Sequence, residues 1–153
     1  MKLKTKNYKL KTSGRGFTIF EILIGMGILA VIFAIGLPIS WNFYINYQFD
    51  SEVDTFVSVL EQARNSAMVN RNESPHGVYA DANQFVIFQG VNYTGRDVSQ
   101  DKIFPRSGNI NFNGPSEIVF SALSGQVSST TYSFSRAQRS SNVYVNSEGA
   151  ISF

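Results

Sequence analysis

The chain has 153 residues, with 13 basic and 11 acidic side chains, one histidine and no cysteine. That length holds one compact domain with an appendage rather than two full domains. The missing cysteines exclude both a disulfide frame and a thiolate metal site.

Charge is unevenly spread. Lys2, Lys4, Lys6, Lys9, Lys11 and Arg15 stand in residues 1–16 with no acid, which leaves seven basic against eleven acidic residues, or −4, for the rest. The overall +2 is therefore no argument for nucleic-acid binding. From Ile22 to Phe49 there is no charged residue. A basic stretch before an apolar run fits a secretory signal peptide, but the run exceeds the usual h-region and no A-x-A-like site follows it. It also fits a signal-anchor helix, since about 20 residues at 1.5 Å rise cross a hydrocarbon core of roughly 30 Å. The six cations would hold the N-terminal end in the cytoplasm.

Neither reading accounts for Glu21, a carboxylate just inside the apolar edge. Such a group is costly in a membrane and usually has a partner. Arg15, a chain end made by cleavage, or a charge on another subunit are the options. Gly16-Phe17-Thr18-Ile19-Phe20-Glu21, after a basic leader, resembles the processing motif of type IV prepilins, with Glu21 fifth when counted from Phe17. Pro38 also stands where pilins commonly carry a proline.

The resemblance implies that a prepilin peptidase removes residues 1–16, cutting between Gly16 and Phe17 and leaving the apolar segment attached. Phe17 becomes the N-terminus and is N-methylated, keeping a cationic amine. Glu21 then pairs with such an amine on a neighbouring subunit, which relieves both charges and fixes axial register. Other pilins or pseudopilins are the implied partners. The implied setting is single-pass in the inner membrane, with the N-terminus cytoplasmic and the globular domain periplasmic.

Residues 17–45 read as the transmembrane and assembly helix, and residues 46–153 as a globular domain that stays helical to about residue 73. Val53, Phe56, Val57, Leu60, Ala63 and Ala67 recur at i, i+3, i+4, i+7 spacing, a stripe that packs on a sheet. Gly36 and Pro38 should kink or locally melt the upper membrane part. Pro75 is the expected stop.

From His76 onward, β-branched and aromatic runs alternate with turn residues. Residues 77–80 and 85–88 read as a hairpin, and 117–120, 132–134, 142–145 and 150–153 as further strands. Residues 89–109 read as a long loop. One long helix against an antiparallel sheet gives an α+β class. Leu60-Glu61-Gln62-Ala63-Arg64-Asn65-Ser66-Ala67, Ile118-Val119-Phe120 with Gly125, and Val143 to Ile151 are similar to segments of the GspH/FimT-type minor pseudopilins and minor pilins. This chain departs from pilin patterns in lacking a cysteine pair and in following Gly149 with Ala150 rather than arginine.

Catalysis finds little footing. His76 follows a proline with no H-x-x-H or H-E-x-x-H spacing and reads as a loop or capping residue. The serines lack a G-x-S-x-G setting and a second histidine. Asp97 and Asp101 could offer loop oxygens to calcium, but their spacing is not that of an EF-hand. No cofactor or metal is expected. The reading is a non-enzymatic structural subunit of a type II secretion pseudopilus or type IV pilus, acting in fibre initiation or tip assembly. The alternative is a DNA-uptake minor pilin, for which Arg136 and Arg139, with Lys102 and Arg106 nearby, would supply phosphate contacts.

Overall fold

The computed structural model describes Gly14 and residues 16–153, apart from the side chains of residues 37–40 and 42. The leader lysines, Arg15 and the side chain of Pro38 thus lie outside the described residues. Two compact units divide at residues 42 and 43.

Helix α1 runs over Ile19–Met68. In the first unit its backbone stays helical at Gly36 and Pro38, so the expected local melting does not occur. None of Ile19–Gly36 is buried, and this span is long and apolar enough to cross a membrane.

In the second unit every member of the expected stripe is buried, joined by Phe49 and Val59. The helix ends at Met68, about five residues earlier than expected. Asn70 takes a left-handed conformation (φ 50°) that asparagine tolerates, and a short 3-10 turn follows over Arg71–Glu73. The Ala67 carbonyl accepts the N–H groups of both Asn70 and Leu123 at 2.9 Å. Local cap chemistry ends the helix before Pro75 can.

Eight strands follow: β1 (His76–Ala80), β2 (Gln84–Gln89), β3 (Lys102–Pro105), β4 (Asn111–Asn113), β5 (Glu117–Phe120), β6 (Thr130–Arg136), β7 (Arg139–Val145) and β8 (Ile151–Ser152). They form two antiparallel sheets, in orders β3-β2-β1-β5 and β4-β6-β7-β8. The β1–β2 hairpin closes on Asp81, whose Oδ1 accepts the N–H groups of Asn83 and Gln84.

Two strands arise where the sequence offers weak signals. β3 lies inside the expected loop and pairs with β2, Ile87 opposite Lys102 and Gln84 opposite Pro105. A four-residue edge strand carrying Lys and Pro leaves little alternation to read. The rest of that loop is pinned. Tyr93 stacks on Tyr79 at 3.7 Å between ring centroids, and the Arg96 guanidinium lies 3.7 Å above Tyr93.

Phe56 of α1 joins both sheets in one core. Its ring lies 4.8 Å from Phe85 of the first sheet, and 4.8 Å and 5.3 Å from Tyr132 and Phe134 of the second. It is fully buried. Burial of such a side chain stabilises by about 1.5–3 kcal/mol, and aromatic contacts add to that.

Candidate functional site

The N-terminal motif begins α1. Phe17 is 82% exposed, and Glu21 is also exposed. Thr18 and Glu21 form a reciprocal cap. The Glu21 N–H donates to Thr18 Oγ1 at 3.2 Å, while Glu21 Oε2 accepts from the Thr18 N–H at 3.3 Å and its hydroxyl at 3.4 Å. This is a capping box, T-x-x-E, and the carboxylate also sits well against the positive end of the helix dipole. The T-x-x-E spacing that signals this cap is legible in the sequence, independently of the charge of Glu21. Pro38 lies within α1, twenty residues before Ser58.

Arg136 and Arg139 flank the two-residue turn between β6 and β7 and pair across it. Both guanidinium groups turn towards α1. Arg136 Nη1 donates to Gln48 Oε1 at 3.2 Å. Arg139 makes a forked contact with Asp50 at 2.9 Å and 3.3 Å and lies 5.1 Å from the Phe49 ring. Arg106 is not a surface cation at all, since its side chain is 2% exposed and paired with Glu52. Lys102 lies on β3, with its ammonium 3.5 Å from Gln62 Oε1.

His76 is the first residue of β1 rather than a loop residue, and it is 5% exposed. Burial lowers its pKa from 6.5. Its contact with the Ser74 carbonyl opposes that shift, and the Arg71 and Lys102 charges add to it. Asp97 and Asp101 serve different partners. Asp97 accepts the Ser99 N–H at 3.0 Å, and Asp101 pairs with Arg96 at 2.8 Å.

The three segments that carry the weaker resemblance meet in space. Arg64 of α1 donates to the Glu148 carbonyl at 3.1 Å. Gly149 adopts φ +75°, and a Cβ there would fall 2.8 Å from Arg64 Nε and collide with the Gly125 carbonyl. Gly125 itself has φ +66° and lies against Met68 and Arg64. Both positions need glycine for conformation and for space.

The fold and its solved neighbour agree. The structure of the minor pseudopilin EpsH from the Type 2 Secretion System of Vibrio cholerae superposes with a TM-score of 0.52 at 12% identity, covering 69% of this chain and 94% of that one. This chain has the pilin-like fold. Its long N-terminal helix, packed by its second half on antiparallel sheet, is the α+β arrangement of the minor pseudopilin. No protein-family model matches the pilin-like chain, and no curated protein does.

Proposed function

We propose that this pilin-like chain is a non-enzymatic minor pseudopilin or minor pilin, a structural subunit that acts in initiating or capping a fibre. One observation carries the reading: an apolar helical span with no buried residue, Ile19–Gly36, belongs to a chain of pilin-like fold and opens on Gly16-Phe17 and Glu21. So much apolar surface needs a bilayer or neighbouring helices to cover it. A prepilin peptidase cuts between Gly16 and Phe17, and the new amine of Phe17 is methylated. The helix then anchors the subunit in the inner membrane with its globular domain outside the cytoplasm. On assembly, Glu21 meets the amine of a neighbour.

Intact-mass measurement of membrane-extracted protein tests this reading. The expected species begins at Phe17 and carries one added methyl group. A mature form beginning beyond the apolar run would end the proposal. DNA capture draws no support from Arg136 and Arg139, because their guanidinium groups already face Gln48 and Asp50.

A further inference from the structure

We propose that the pocket between the C-terminal end of α1 and β3 binds a compact oxyanion, a carboxylate or phosphate group, on Arg71, Lys102 and His76. The pocket has a volume of about 30 Å³ and is lined by Ser66, Arg71, His76, Ile87, Gln89, Gln100 and Lys102. Two cations, an imidazole, a hydroxyl and two amides surround it, and no carboxylate lines it. That volume suits a group of a few heavy atoms rather than a large ligand.

Lys102 meets the neutral amide oxygen of Gln62 at 3.5 Å rather than a carboxylate. Among the described residues neither Arg71 nor Lys102 forms an ion pair. Glu61 lines the adjoining groove with both of them but forms no ion pair with either. Both charges lower the pKa of the buried histidine, and an anion held between them would offset that effect.

The polar groups are arranged to donate. Asn72 Nδ2 donates to Gln89 Oε1 at 2.8 Å, which occupies the acceptor of that amide and leaves its NH2 for another partner. His76 Nδ1 lies 3.0 Å from the Ser74 carbonyl and so carries the hydrogen, leaving Nε2 to take a proton when an anion arrives. In the turn presenting Arg71, Asn70 and Asn72 take the left-handed conformation that asparagine tolerates, while Glu73, at φ 52°, is held in it against its preference. Non-glycine residues persist in that region where the surroundings impose it, and such strain concentrates at binding sites.

Binding and protonation are therefore coupled. The charges acting on His76 are Arg71 from the 3-10 turn and Lys102 from β3, both of which disfavour the imidazolium. A bound oxyanion offsets them and accepts a hydrogen bond from Nε2, so the anion raises the His76 pKa and low pH tightens the anion.

The single histidine gives a single imidazole signal, which makes the test direct. The full chain in dodecyl maltoside micelles is titrated with inorganic phosphate and, separately, acetate, at constant ionic strength, while the His76 resonance is followed by NMR. The expected result is a saturable shift and a rise of about one pH unit in the His76 midpoint, a tenfold coupling. Arg71→Gln/Lys102→Gln should weaken binding at least about tenfold. Lys102→Gln alone, on an exposed edge strand, serves if the double variant does not fold. A preference for acetate identifies a protein carboxylate as the natural source, and one for phosphate a free phosphate or headgroup. No saturable shift with either anion, or an equal shift in the folded variants, overturns the proposal.

Discussion

Arg106 and Glu52 form a buried ion pair that ties α1 to two loops. Arg106 Nη2 and Nε lie 2.8 Å and 2.9 Å from Glu52 Oε1, with side-chain exposures of 2% and 5%. The guanidinium also donates to the carbonyls of Asp81 and Ile110, and Glu52 Oε2 accepts the Ser107 N–H at 3.0 Å. The Phe85 and Phe112 rings each lie 5.0 Å from its central carbon. Every strong donor and acceptor is matched, which is the condition under which a buried pair is tolerated.

Removing one partner should therefore cost far more than removing both. Glu52→Ala strands the Arg106 charge and should destabilise by about 3–5 kcal/mol. Glu52→Met/Arg106→Met should recover most of that loss. Thermal melts followed by circular dichroism check the order, and a double variant as unstable as the single one would contradict it.

Glu21 has two roles that substitution can separate. Glutamine at this position keeps the capping box with Thr18 but removes the charge. If the charge pairs with a neighbouring subunit, Glu21→Gln should be processed and inserted normally yet crosslink poorly to other subunits. Thr18→Ala should do the reverse, weakening the helix start by about 0.5–2 kcal/mol while leaving the intersubunit pair. Wild-type crosslinking in Glu21→Gln would reduce the residue to a local cap.

His76 should make stability fall towards acid pH. Its folded pKa lies below 6.5, mainly through burial, so the unfolded chain binds the proton more readily. Stability is then full above about pH 7 and declines as pH drops through 6.5 towards the folded pKa. In a buffer free of phosphate and carboxylate, Tm should drop between pH 7 and 5. His76→Gln should flatten that segment. An unchanged slope in the variant would assign the effect to other groups.

Residues 43–153 should bind duplex DNA weakly at about 150 mM salt. They hold seven basic and ten acidic residues, a net of −3. Arg139 would have to leave Asp50 before it could reach a phosphate. Two contacts give a shallow slope of about two in log affinity against log salt. An anisotropy titration across salt measures it. Submicromolar, steeply salt-dependent binding that is lost in Arg136→Ala/Arg139→Ala would restore the DNA-uptake reading.

The elements that the sequence declares best are those set by local pattern. The stripe from Val53 to Ala67, the hairpin around Asp81 and the strand Glu117–Phe120 follow from periodicity and turn chemistry over a few residues. β4, only three residues long, was invisible for the same reason. Its partner β6 lies some twenty residues away, and Phe112 faces Phe134 only once the sheets divide.

Sequence by itself determined the long helix, its apolar first part with Glu21 at the start, the buried stripe of its second part and the leader motif, because each is written in contiguous residues. Tertiary structure alone decided what the scattered charges do. Arg106 faces Glu52 across 54 positions and Arg139 meets Asp50 across 89, while Arg71 and Lys102 are left flanking His76. Charge acts over a few ångströms of space, and a linear sequence does not state which distant residues will share them.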